Sequence, residues 1–143
     1  MCKVFDLFSD FNVGLCYILF QNFESFGILK PISSRPANSE RYIICKGLRG
    51  RKPAVVKYLL EVNTKLSQKQ NVTSVIDQES LESDQDYQDF IEYITASNIL
   101  IGQRQIKFLK KIKQAVEDQY LDIKKNQQDI RKRCLERKKK IFF

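Results

Sequence analysis

Apolar residues come in short dense blocks over the first third of the chain and at helical spacing over the rest. The opening "CKVFDLF" has the β-branched and aromatic content of a strand and starts without a preceding turn. Ser9 and Asp10 can cap a helix, after which Phe11, Leu15, Leu19 and Phe23 recur every fourth residue, predicting a helix to about residue 25. "FGILKP" reads as a strand stopped by Pro31, and "RYIICKG" as a second strand stopped by Gly47. Alternation is lost in "YIIC", so both faces of that strand are expected to be buried. Between the two, "ISSRPANSE" is too polar and too marked by proline to be anything but a loop.

Pro53 suits a first helical position, and Val55, Leu59, Val62 and Leu66 follow it at helical spacing with lysines between them. Residues 67–85 show little periodicity and are expected to form an exposed connection in which Val75 and Ile76 dock. Helical spacing resumes with Phe90, Ile91 and Ile94. It returns with Ile106, Leu109, Ile112 and Val116, whose other face carries Lys107, Lys110, Lys111 and Lys113. A further short helix is expected over 127–136. Strand, helix, strand, strand and then helices suit the closing part of an α/β sheet followed by a helical extension. We divide the chain into 1–50, the sheet portion, and 51–143, the extension, with a mobile acidic connection near 67–89.

Charge sharpens that division. The 143 residues carry a formal net charge of +8, unevenly spread: 1–76 hold 11 basic and 5 acidic side chains, 77–92 hold 7 acidic and none basic, and 93–143 hold 14 and 5. An acidic belt separates two basic segments, and the excess of cations fits an anionic partner such as nucleic acid, or simply a solvated surface. The four cysteines, Cys2, Cys16, Cys45 and Cys134, form no CxxC pair and histidine is absent, which argues against a zinc site. Two of them lie in apolar runs, as buried reduced thiols do, and fit a reducing compartment. Asp6 and Asp10 interrupt any signal-peptide core, and the longest apolar run, "LCYILF", is far below the roughly 20 residues a membrane-spanning helix needs. No membrane association is expected.

The inventory also limits the chemistry. Without histidine there is no Ser-His-Asp or Cys-His pair, and no glycine-rich strand-to-helix turn offers a nucleotide cradle. Lysine and carboxylate chemistry at strand ends remains, because open α/β sheets place their sites just outside the ends of their strands. Lys3 lies near the end of the opening strand, and Glu40 begins the last one. If that last strand runs antiparallel, the two meet on one rim; lysines and glutamates at such places are also common as solvated surface groups.

The stretch from "CKVFDLF" through "KP", "SRPANSERY" and "CKGL" resembles the final α/β part of the FtsJ-type ribose 2′-O-methyltransferases, in the branch that acts on mRNA caps. The likeness continues in register through "VNTKLSQ", "SN" at Ser97 and Asn98, "QIKFL" and "IRKRCLER". It implies the terminal part of a Rossmann-like sheet that uses S-adenosylmethionine, a capped mRNA 5′ end as substrate, transcription-associated protein partners and a nuclear location. It further implies that Lys3 matches the second lysine, and Glu40 the closing glutamate, of a Lys-Asp-Lys-Glu tetrad. The first lysine, the aspartate and all cofactor-binding residues would lie outside these 143 residues, as in a C-terminal fragment inactive by itself.

A ribose 2′-hydroxyl is a poor nucleophile, so its attack on a sulfonium methyl needs an aligned oxygen and a partner for its proton. Lys3 is the candidate partner. Glu40, as a neighbouring carboxylate, favours the charged ammonium and so fits the orienting of Lys3 and the ribose better than the activating of an amine. Asn38 and Ser39 could hydrogen-bond the acceptor ribose or its phosphate, and Arg35 and Arg41 could face RNA phosphates; loop solvation or a β-turn would account for the same four residues. The alternative is a basic helical module that binds RNA or protein without catalysis, through the four helix lysines and the run 131–140, seven of whose ten residues are basic. That run could equally be a nuclear-localisation patch or a solvated tail.

Overall fold

A computed structural model describes residues 1–117, 128–129, 131–133 and 135–136. β1 (Cys2–Val4) leads into α1 (Asp10–Asn22), β2 (Phe23–Leu29), β3 (Arg41–Leu48), α2 (Pro53–Ser67), the short α3 (Gln78–Leu81) and α4 (Gln85–Glu117). The helix expected over 127–136 is described only in part, its described residues being helical, and much of the basic run 131–140 lies outside the described residues.

β3 occupies the middle of a three-stranded sheet, antiparallel to β1 on one side and to β2 on the other. β1 and β2 are therefore parallel to each other and joined through α1, a crossover unit with the last strand inserted in its gap. With helices packed against one of its faces, this three-stranded sheet is compatible with an α/β fold.

α1 starts where the cap predicts: Ser9 Oγ accepts from the Asn12 amide at 3.3 Å, and Asp10 stands in the first turn, where its charge suits the helix dipole. It ends at Asn22, three residues before the expected stop. Phe23, the last member of the helical stripe, takes extended backbone and pairs with Leu48, so cross-strand pairing overrides the local period. No residue of 11–23 is exposed. The sheet, α4 and the 74–76 segment surround a helix that is apolar on most sides.

Parity along β3 organises the core. Arg41 and Ile43 are buried and Cys45 half-buried, and they share one face with their partners Val4, Cys2, Ile28 and Phe26. Against this face lie Leu7, Cys16, Tyr17, Tyr87, Phe90 and Ile94. Rings of Tyr17, Phe20 and Phe26 gather around Phe90 with centroids 5.2 to 5.8 Å away, in tilted and edge-on contacts. The other face of β3, through Tyr42 and Ile44, is half-buried, so the expectation of a strand buried on both faces is corrected: the helices cover one side.

The long connection is anchored. Val75 is 2% exposed and packs on α1 at Gly14, where a Cβ would lie 2.9 Å from Val75 Cγ2, while Tyr58 donates its hydroxyl to the Val75 carbonyl at 3.0 Å. α4 then runs unbroken for 33 residues, about 50 Å, joining the two separately expected periodic stretches. Tyr87, Phe90, Ile94 and Ile101 form its buried face, whereas Ile106, Leu109, Ile112 and Val116 are exposed.

Candidate functional site

The loop between β2 and β3 consists of two consecutive turns. Ser34 N–H donates to the Pro31 carbonyl and Asn38 N–H to the Arg35 carbonyl, with Pro36 at the second turn position where its fixed φ belongs. The loop delivers Glu40 to the start of β3, on the outer face of the sheet.

Antiparallel pairing places Lys3 directly opposite Tyr42. Cross-strand partners point the same way, and Glu40 precedes Tyr42 by two, so all three side chains share the outer face. Lys3 Nζ lies 3.5 Å from Glu40 Oε2, and the Tyr42 hydroxyl donates to Glu40 Oε1 at 2.8 Å. The carboxylate is only 16% exposed and the Lys3 side chain 49%, so the carboxylate is held while the amine stays reachable from solvent. The Tyr42 hydrogen bond, with the Lys3 charge behind it, holds the Glu40 carboxyl below the usual carboxylate range, and the same bond raises the Tyr42 phenol. Lys3 also stands 5.2 Å over the Phe5 ring, a cation–π contact that helps set its direction.

Behind the carboxylate lies a second cation. Lys30 Nζ donates to the Asn38 carbonyl (2.7 Å), Asn38 Oδ1 (3.2 Å) and the Glu40 carbonyl (2.8 Å), while Glu40 N–H donates to Asn38 Oδ1 at 3.3 Å. Burial lowers the Lys30 ammonium below its ordinary value, opposed by Glu40 and reinforced by Arg41 and Arg104. α4 braces this loop through Gln105, whose Nε2 donates to the Ala37 carbonyl at 3.3 Å, and the β1–α1 connection through Asn98, whose Nδ2 donates to the Leu7 carbonyl at 2.9 Å.

Of the residues expected from sequence, Lys3 and Glu40 are brought together, and Asn38 stands beside them with Oδ1 occupied within the loop. Ser39 is half-buried, with its carbonyl accepting from Arg41 Nε at 3.1 Å, and Arg35 is exposed at the loop surface. Arg41 does not face outward. It is 1% exposed, and its guanidinium donates to Asn98 Oδ1 and the Ser39 carbonyl. The correction follows from strand parity: the arrangement that sets Glu40 and Tyr42 outside sends Arg41 inside. Burial lowers the Arg41 guanidinium, with Asp6 opposing.

Local sequence pattern assigns no role to Lys30, Tyr42, Asn98 or Gln105. Tyr42 was within reach through the period-2 rule, whereas Lys30 and the two α4 amides act across 8 to 91 residues of chain, a separation no local pattern carries. Among the described residues no group of three Cys, Asp or Glu could hold a metal ion, and no helix is long and apolar enough to cross a membrane. An apolar groove of about 590 Å³ between α1 and α2, lined by Ile18, Leu19, Leu48 and Val56 among others, shares no residue with the Lys3–Glu40 site.

Residues 1–48 match the FtsJ-like methyltransferase family, and the match ends where β3 ends. Over nearly its whole length the chain is similar to proteins named cap-specific mRNA (nucleoside-2′-O-)-methyltransferase 1: 45% identical over 139 residues to that of Homo sapiens, 42% over 137 to that of Dictyostelium discoideum and 42% over 145 to that of Drosophila melanogaster. These alignments cover 94–96% of the chain and 16–18% of the relatives, so the chain spans about one sixth of their length. The sheet unit that sets Lys3 against Glu40 is thus the part that carries the family match, and the chain is a relative of the FtsJ-like methyltransferases.

Proposed function

We propose that the chain supplies the Lys3–Glu40 half of a site that methylates the ribose 2′-hydroxyl of the first transcribed nucleotide in capped mRNA, in the nucleus. The carrying observation is the 3.5 Å approach of Lys3 Nζ to a carboxylate fixed by Tyr42. On this reading the sheet unit is the terminal part of a Rossmann-like methyltransferase sheet. The acceptor ribose lies on the outer face, where Glu40 aligns the Lys3 ammonium and the hydroxyl, and Lys3 receives or steers the hydroxyl proton as the oxygen becomes the nucleophile. Exposed Arg35 stands where an RNA phosphate could be met, and Asn38 where its side-chain amide could reach the ribose.

S-adenosylmethionine is the methyl donor this reading requires, and the residues present do not fit it. The cavity beside β1, about 320 Å³, is lined mainly by apolar side chains, among them Val4, Phe5, Leu7, Leu15, Leu19 and Ile43, and has no glycine in its lining. The donor would be held by residues outside this chain, and the isolated chain is expected neither to bind it nor to transfer methyl groups; stoichiometric binding in a calorimetric titration would contradict this.

Catalysis is tested in a chimera in which this chain replaces the matching segment of the Homo sapiens relative. Methyl transfer to capped RNA is expected to persist in the chimera and to fall at least about 100-fold on Lys3→Ala. A chimera in which Lys3→Ala retains full activity sinks the assignment.

A further inference from the structure

Lys30 has a chemistry that the two-residue site does not use. An ammonium has three N–H donors and no acceptor, and here there are three acceptors for them: two loop carbonyls two residues apart and the Asn38 side-chain oxygen. Nothing remains on Nζ to give to a substrate, so Lys30 is neither an acid nor a base in the reaction. Its position explains the arrangement. It follows Leu29, the last β2 residue, whose partner across the sheet is Tyr42, the residue that holds the Glu40 carboxylate.

We propose that Lys30 is a positioning residue for the Lys3–Glu40 site: by binding the carbonyls of both Asn38 and Glu40 it fixes the backbone across residues 38–40, and so aims the Glu40 side chain at Lys3 and Tyr42. The proposal rests on the catalytic reading of Glu40 given above. One cation gripping carbonyls 38 and 40 fixes the dihedrals between them, which determine where the Glu40 Cβ points. The bonds are charge-assisted and lie in a partly dry place, where each is stronger than its counterpart in water. Arginine is a poor substitute, because its planar fork cannot converge three donors on acceptors grouped around one point. Burial and the neighbouring Arg41 and Arg104 all press against the Lys30 charge, with only Glu40 supporting it. A cation held at such a place is consistent with the geometry it imposes.

The test begins with the unaltered chain. NMR detection of the Lys30 ammonium should show scalar couplings from Nζ across the hydrogen bonds to the Asn38 and Glu40 carbonyl carbons, and their absence in the folded protein overturns the proposal without recourse to a variant. Lys30→Met keeps the length and removes the donors. In the full chain, carboxyl-detected titration should then show the Glu40 midpoint moving up, as its grip on Tyr42 and Lys3 loosens, with Lys30→Arg falling between the two. In the chimera, kcat should drop about 10- to 100-fold with the KM for capped RNA changed less than about 3-fold, the split expected when alignment is lost and binding kept. A Lys30→Met protein that is folded and whose Glu40 midpoint is unmoved refutes the proposal, whatever its activity. If Lys3→Ala leaves the chimera active, the catalytic reading fails by that separate result, while the couplings and the Glu40 midpoint still report on positioning.

Discussion

Tyr42 reaches back two residues along the outer face of β3 to donate its hydroxyl to Glu40 Oε1 at 2.8 Å, leaving Oε2 for Lys3. The carboxylate therefore has a partner on each oxygen, and a rotation that released one would release both. Residue parity and the antiparallel register together produce this arrangement.

Removing the phenol hydroxyl tests it. In Tyr42→Phe the largest influence holding the Glu40 carboxyl low is gone, so its midpoint rises in a carboxyl-detected NMR titration. The consequence for stability has a definite sign. A carboxyl whose folded pKa is lowered stabilises the fold above its unfolded value, and that contribution is lost as pH falls through the folded value. Tyr42→Phe should therefore begin acid unfolding at a higher pH than the parent chain, as followed by circular dichroism. Coincident acid transitions would contradict the role of Tyr42.

Asn98 joins three parts of the chain: its Oδ1 accepts from buried Arg41 and its Nδ2 donates to the Leu7 carbonyl. Asn98→Ala leaves a buried guanidinium donor and a carbonyl without partners, at about 1–3 kcal/mol for a group so stranded. Thermal unfolding should show a clearly lower Tm, with a larger loss than for Gln105→Ala, which makes a single bond, to Ala37, at 3.3 Å. An equal or smaller loss for Asn98→Ala would refute the bracing role of α4.

Gly14→Ala sets two effects against each other. Alanine raises helix propensity by about 1 kcal/mol. The new Cβ, however, would stand 2.9 Å from Val75 Cγ2 and 3.2 Å from Ile76 Cγ1. Val75 is short, β-branched and buried, so it cannot swing away, and overpacking of this kind costs about 1–3 kcal/mol. The contact is expected to win. Denaturant unfolding should show a lower midpoint for Gly14→Ala, and a double variant with Val75→Ala should recover part of that loss; a stabilised Gly14→Ala would show that the connection does not pack as described.

Cysteine reactivity reports on the core. Burial, then the neighbouring Cys45 and Cys2, pushes the Cys16 thiol from 9.0 to about 12, so at pH 8 roughly one molecule in 10⁴ carries the thiolate. Cys2 is exposed. A disulfide reagent at pH 8 should modify Cys2 rapidly and leave Cys16 intact until denaturant is added, as read by mass spectrometry of the digested protein. The raised pKa also means that this group favours the fold below pH 9 and withdraws that support as pH climbs towards 12. Rapid labelling of Cys16 in the native protein would contradict the packing of α1.

Most of the elements and the chemistry at their ends could be read along the chain. Ser9 announced α1 and Pro53 announced α2, because caps and first-turn prolines act within a few residues. The end of α1 could not be read, since the competitor that stopped it, pairing of Phe23 with Leu48, lies 25 residues away. The absence of proline from 85–117 allowed α4 to run as one helix through Gly102, but did not show which of its stripes would be covered: Phe90 and Ile94 join the core, while Ile106 and Leu109 are exposed.

The site divides along the same line. The sequence by itself determined Lys3 and Glu40 as candidates and the polar, proline-marked loop between the strands, because these depend on residue type and short spacing. Tertiary structure alone decided that β3 enters between β1 and β2, that Arg41 turns inward to Asn98, and that Lys30 gathers the loop's carbonyls. Those outcomes depend on register and on hydrogen-bond partners far apart along the chain, and such partners become defined only when the whole core closes.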